Sequence, residues 1–174
     1  TGTENVFVGD SAGKTSTTAN GIVAIGRKAL EDNTASNNTA VGFAVLANNT
    51  TGGFNTALGG ANYGFTGGAM HLNTTGSYNT ALGNQALHNN TTASNNTAVG
   101  YLAGYAITTG DQNTAVGADA MRFTSTGSLN VAVGQQTLYY NTTGSNNTAL
   151  GRSALQSNTT ADNNTAVGYQ TMYA

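Results

Sequence analysis

The sequence predicts an all-β protein, a parallel β-solenoid or β-roll of ten coils, on three observations. A five-residue phrase ending in an apolar residue and glycine recurs ten times. Successive motif glycines lie 17 residues apart, with one interval of 16 and one of 24. The residues around them are β-branched and turn-forming, with apolar spacing too short for a useful helix. A short, regular period of this kind belongs to a stacked array in which each repeat rests on its neighbours. Residues 1–174 therefore read as one array, with coil glycines Gly9, Gly26, Gly42, Gly59, Gly83, Gly100, Gly117, Gly134, Gly151 and Gly168.

The first element of each repeat is the motif strand, as in Asn96-Thr97-Ala98-Val99-Gly100. The residue before the glycine is always Val, Ile or Leu, and the one before that is Ala except at Phe7. Neighbouring residues of a strand face opposite sides, so the branched residue is expected to enter a packed region and the alanine to permit close approach on the other side. The glycine that follows marks a corner needing positive φ or no side chain. Beyond it comes a small residue and then a bulky apolar one, as in Ala86-Leu87 and Ala154-Leu155. This predicts a second short strand. At this position Gly13 and Gly104 are the exceptions, the latter compensated by Leu102 or Ile107.

The last element is Asn-, Thr- and Gly-rich, as in 141–146, and is turn chemistry. Coils stacked about 4.8 Å apart bring like residues together, giving a rod on the order of 48 Å long. Asn38, Asn55, Asn79, Asn96, Asn113, Asn130, Asn147 and Asn164 then form a structural amide ladder along the axis. Each coil offers only about four apolar side chains against an ordering cost of about 1–2 kcal/mol per residue. Further burial is expected from a homotrimer, with the alanine side of each strand turned toward a shared axis.

Composition bounds the function. Only 7% of the 174 residues are charged, there is no Pro, Cys or Trp, and 24 Asn and 30 Thr stand beside 24 Gly. A surface solvated by amides and hydroxyls suits the outside of a cell or virion. A net charge of −2 supplies no basic stripe for nucleic acid. No apolar run is long enough for a membrane span, and no signal peptide is visible. The chain opens on Thr1 and starts and stops inside a repeat, so a segment of a longer or processed protein is expected.

The phrases Asn20-Gly21-Ile22-Val23-Ala24-Ile25-Gly26 and Asn130-Val131-Ala132-Val133-Gly134 resemble the YadA-like head repeats of trimeric autotransporter adhesins, and the Asn-Thr-Ala-Val-Gly phrases are similar to those of phage tail-fibre shafts. The period is 17 here against the usual 14 of that family. The resemblance implies left-handed parallel β-rolls joined as trimers, displayed outside the cell, whose heads bind matrix proteins or other surfaces.

Candidate sites are few. A seven-residue insertion falls within 60–68, where Tyr63 and Phe65 are candidate ligand contacts for a sugar or partner, or else fold back over the rod. His71 and His88 occupy equivalent positions in adjacent coils and should stack at the surface; two imidazoles alone are a poor zinc site. Asp10, Asp32, Asp111, Asp119 and Asp162 are scattered, without a calcium repeat. No catalytic set recurs with plausible spacing, so neither enzyme activity nor a cofactor is expected. Among the Asn-x-Thr sequences, Asn48, Asn49, Asn73, Asn89, Asn90, Asn141 and Asn158 lie in turns and are the exposed candidates for glycosylation, although the repeat itself generates them. The aromatics Phe43, Tyr101, Tyr139, Tyr140, Tyr169 and Tyr173 recur near coil corners, where they cap the core edge or contact other chains or a ligand.

These features predict a structural and adhesive segment of an extracellular fibre. Its partners would be further copies of the chain, as a trimer, and a host surface, glycan or matrix protein. The alternatives are a filament subunit stacking head to tail, and an ice- or crystal-binding solenoid using threonine pairs such as Thr91-Thr92, Thr142-Thr143 and Thr159-Thr160.

Overall fold

The computed structural model describes residues 2–61 and 67–172. They form a parallel β-solenoid, and no helix occurs among them. Ten three-residue strands stack in chain order: β1 (Val6–Val8), β2 (Val23–Ile25), β3 (Thr39–Val41), β4 (Thr56–Leu58), β5 (Thr80–Leu82), β6 (Thr97–Val99), β7 (Thr114–Val116), β8 (Val131–Val133), β9 (Thr148–Leu150) and β10 (Thr165–Val167). Every neighbouring pair is parallel and in motif register, for example Thr97↔Thr114, Ala98↔Ala115 and Val99↔Val116. The 16-residue interval and the insertion leave the register intact: Ala24 pairs with Ala40, and Ala57 with Ala81.

The strand faces are the reverse of the sequence expectation. Alanine is the inward residue: Ala24, Ala40, Ala57, Ala81, Ala98, Ala132 and Ala149 are wholly buried inside their own coil. The aliphatic residue before the glycine faces outward, with Leu58 42% and Val133 39% exposed. The interior is narrow because the opposite wall already carries Leu30, Leu46, Met70, Leu87, Met121, Leu138 and Leu155, all buried, and only a methyl fits across from them. The alanine side is thus used up within one chain and cannot line an axis shared by three.

The second predicted strand is replaced by paired turns. In the coil after β5, Ala86 N–H donates to Gly83 O (3.3 Å) and Asn90 N–H to Leu87 O (3.0 Å). Between these turns Leu87 N–H and Asn89 N–H reach forward to Ala103 O and Tyr105 O of the next coil. Gln85 and Leu87 hold φ of 57° and 50°, and each equivalent leucine or methionine does the same. Leucine seldom adopts this left-handed region. Burial of its side chain and a full set of inter-coil hydrogen bonds outweigh that local cost.

The motif glycines hold φ between 120° and 138°. A Cβ on Gly100 would lie 2.6 Å from Gly117 O, so both the conformation and the approach of the next coil require glycine. At Gly104, where bulk is missing, the Ile107 δ-methyl sits 3.1 Å from where a Cβ would be, so Ile107 fills the space. The first coil uses the same exchange: Phe7 stands in place of alanine, and Gly13 makes room for its ring.

Candidate functional site

Four files of polar side chains run along the rod, and they decide which sequence candidates are available to a ligand. In the first, each motif asparagine accepts from the backbone N–H of the next: Asn55 N–H to Asn38 Oδ1 (2.9 Å), then Asn79, Asn96, Asn113, Asn130, Asn147 and Asn164 in turn, at 2.8–3.0 Å. Its Nδ2 donates to a carbonyl of the next coil, as from Asn113 to Gly127 O (2.9 Å). From Asn38 to Asn147 the amide side chain thereby acts as an additional peptide group joining two coils, sealed from water; Asn164, in the last coil, is half-buried.

The second file joins side chain to side chain. Asn49 Nδ2 donates to Asn33 Oδ1, Asn73 Nδ2 to Asn49 Oδ1, and Asn90 Nδ2 to Asn73 Oδ1, each at 2.6 Å. After an interruption it resumes with Asn158 Nδ2 donating to Asn141 Oδ1 (2.8 Å). Four glycosylation candidates, Asn49, Asn73, Asn90 and Asn141, are therefore fully buried, contrary to the exposure expected of turn residues, and their Nδ2 atoms point into the rod. Asn48, Asn89 and Asn158 are half-buried, and Asn158 Nδ2 is also a ladder donor.

The other two files were not foreseen. Thr50, Thr74, Thr91, Thr108 and Thr142 donate their hydroxyls to carbonyls of the following coil, at 2.9–3.2 Å. The first members of the pairs Thr91-Thr92 and Thr142-Thr143 thus serve the rod rather than a crystal face. Two positions before each motif asparagine from Asn38 to Asn164 except Asn55, which has Gly53 there, a Ser or Asp accepts a backbone N–H from the preceding coil, as from Ser94 N–H to Asp111 Oδ1 and Ser145 N–H to Asp162 Oδ1, both 2.6 Å. The recurrence of Ser and Asp at one repeat position was the signal for this file. Asp111 and Asp162 hold backbone, Asp10 pairs with Arg27 and Asp119 with Arg122. Among the described residues, no group of three or more His, Cys, Asp or Glu is placed to hold a metal.

His71 and His88 do stack, with ring centroids 5.6 Å apart, and Tyr105 continues the stack at 5.3 Å. They are less superficial than expected: His88 is buried and His71 is half-buried. His71 Nδ1 lies 3.0 Å from Ala44 O, and Gly67 packs directly against the ring. Burial lowers the His71 pKa below the ordinary histidine value; the Ala44 carbonyl opposes this in part, while His88 and Lys28 add to it. The insertion base keeps the regular turn bond, Ala69 N–H to Gly59 O (2.8 Å), so seven extra residues leave the coil undisturbed. Tyr63, Phe65 and Tyr173 lie outside the described residues.

Besides the exposed Phe54–Tyr78 stack, with ring centroids 5.0 Å apart, two surfaces are open to a partner. One is the outward face of β1–β10, a column of mainly threonine (Thr39, Thr56, Thr80, Thr97, Thr114, Thr148, Thr165) beside the aliphatic column, without a charged residue. The other is an aromatic patch after β7 and β8. Phe123 and Tyr140 stack at 5.8 Å with planes 4° apart, and Tyr139 meets both edge-on. Arg122 lies over the Phe123 ring (5.4 Å) and pairs with Asp119 (3.1 Å). Phe43, Tyr101 and Tyr169 are exposed and separate, Phe43 and Tyr169 each beneath an arginine. No helix among the described residues is long and apolar enough to cross a membrane.

No protein-family model, no curated protein and no solved structure matches the chain.

Proposed function

We propose that the chain is a structural and adhesive segment of an extracellular fibre: a rigid, left-handed rod in which three copies associate through the outward face of β1–β10. The observation that carries this reading is that face itself. It combines an in-register aliphatic column, including Val8 and Val167 at 55% and 65% exposure, with threonines and no charge. An uncharged aliphatic column running through all ten coils, exposed at its ends and half-exposed between, favours an interface, and burying it adds about 25 cal/mol per Å². A second copy of the chain carries the same spacing, so its columns interdigitate coil by coil. The in-register ladder stiffens the rod, and three copies present any surface site three times, which raises avidity for a host surface.

The test is the mass in solution with negative-stain images, for the native chain and for a variant with Val99→Lys and Val116→Lys. The native chain is expected at three times 17.5 kDa and the variant at one. A native chain that stays monomeric at all concentrations overturns the trimer, and a mass that grows without limit favours a head-to-tail filament. A second reading, ice or crystal binding, is favoured by the regular threonine column of the same face. A thermal-hysteresis measurement that finds none removes it.

A further inference from the structure

We infer that the aromatic patch around Phe123 is a carbohydrate-binding site for a β-linked pyranoside with equatorial hydroxyls, seated at the level of Ala106. The residues six positions after each motif glycine form one file on the rod surface: Asn89, Ala106, Phe123, Tyr140 and Ser157 in successive coils. Phe123 and Tyr140 stack face to face, and both are substantially exposed, at 39% and 48%. On the Tyr140 side the Phe123 ring is covered; its file neighbour on the other side is the methyl of Ala106, and the Arg122 guanidinium lies 5.4 Å from the ring centroid. A saturated ring in van der Waals contact with Phe123, about 4 Å away, would lie at nearly the height of Ala106, one coil spacing of about 4.8 Å distant. The aromatic stack therefore ends at Phe123, and the file continues with the small Ala106 and then the polar Asn89.

The rim supplies polar groups fixed in position. Arg122 is held by Asp119 Oδ1 (3.1 Å) and Tyr139 Oη (3.4 Å); its Nε is buried and unpartnered, so the terminal nitrogens are the part of the guanidinium that faces the rim. Tyr105 is held by stacking on His88, and the Asn89 Oδ1 accepts from His88 Nδ1 (2.9 Å). The patch combines one guanidinium with one carboxylate, so it favours a neutral ligand over a charged one. An equatorial pyranoside fits: its axial C–H groups give it two apolar faces, and its hydroxyls radiate in the ring plane toward amide, phenol and guanidinium. Exposed aromatics packed this densely occur nowhere else among the described residues of the file, whose other positions are Thr15, Asp32, Asn48, Leu72 and the residues named above.

The site lies outside the strand face, so its test is independent of the oligomeric state. Cellotriose and chitotriose serve as probes, with binding read by saturation-transfer NMR and by tyrosine fluorescence. Saturable binding of at least one is expected, weakened at least tenfold by Phe123→Ala, which copies the neighbouring coil and so preserves the fold. Ala106→Phe extends the aromatic stack beyond Phe123 and is expected to abolish binding, although it adds aromatic surface. Phe54→Asn with Tyr78→Asn, removing the other stacked aromatic pair, is expected to leave binding unchanged. Failure of both trisaccharides to bind saturably, or undiminished binding by Ala106→Phe, overturns the site.

Discussion

The two asparagine files run side by side through the same coils, yet one is continuous from Asn38 to Asn164 and the other is broken. The first gives its carbonyl to a backbone N–H and its amide to a backbone carbonyl, so each asparagine serves groups that every coil presents. In the second file the next asparagine is itself the partner, and one substitution removes a link. The break occurs at Ile107 and Thr124, where Asn90 Oδ1 and Thr124 Oγ1 are both buried without partners. Its cause lies in the apolar core: Gly104 lacks the usual leucine, Ile107 fills the space, and the residue that would have carried the amide is used for packing. Either file can be traded locally against core volume: in the first, the wholly buried Ile22 takes the amide position between Asn5 and Asn38, yet its own N–H still donates to Asn5 Oδ1, whereas in the second each missing amide leaves a neighbouring polar atom unpaired.

The largest expected effect is therefore in the first file. Asn113→Ala leaves the buried Asn130 N–H without its acceptor, takes from Asn130 Nδ2 one of two acceptors (Gly144 O remains) and deprives the Gly127 carbonyl of a donor, costing about 3 kcal/mol. Urea unfolding followed by circular dichroism measures it, and hydrogen exchange should accelerate at the Asn130 amide in particular. Asn73→Ala in the second file should cost only about 1–2 kcal/mol, because it orphans one buried acceptor, Asn49 Oδ1, while Gly76 O keeps its bond from Asn55 and Asn90 Nδ2 its bond to Ala93 O. An equal cost for the two would erase the distinction.

The core exchange is tested next by Gly104→Leu and Ile107→Asn. Each alone is destabilising, the first by overpacking against Ile107 and the second by opening a cavity beside Gly104. Together they rebuild the consensus coil, and the double-mutant cycle should show a coupling of about 1–3 kcal/mol. Additive effects would separate the ladder break from the core. A smaller gain is expected from Thr124→Asn, which supplies an acceptor for Asn141 Nδ2 and removes the unpaired hydroxyl, stabilising by about 1 kcal/mol in the same unfolding assay.

The smallest effect lies outside both files. Because the folded His71 pKa is below its ordinary value of 6.5, the unfolded chain binds more protons there. Stability from this residue is present above pH 6.5 and is lost as pH falls from 6.5 through the lowered folded pKa. His71→Asn should flatten unfolding midpoints measured across that window, and an unchanged slope would assign the dependence to another group.

The solenoid, its register and the motif asparagine ladder were legible because a fixed period forces like onto like, whatever the local conformation. The direction of the strand faces was not legible. Alternation says that Ala98 and Val99 point opposite ways; it does not say which way is in, and the branched residue is the natural choice for a core. Nor were the paired turns. Leu87 at φ 50° contradicts local preference and is held there by contacts with the coils on either side. The turn asparagines looked exposed because hydrophilic turns generally face water, and only stacking reveals that Asn49 and Asn73 sit between coils.

By itself, then, the sequence determined the repeat, its parallel stacking and the need for glycine at every corner, since these follow from periodicity and from the steric character of single residues. The tertiary structure alone decided which strand face is buried, which polar groups are consumed in ladders and which aromatics are left facing solvent. Those outcomes depend on the cross-section of the coil, a distance between two walls of the same turn that no one-dimensional pattern contains.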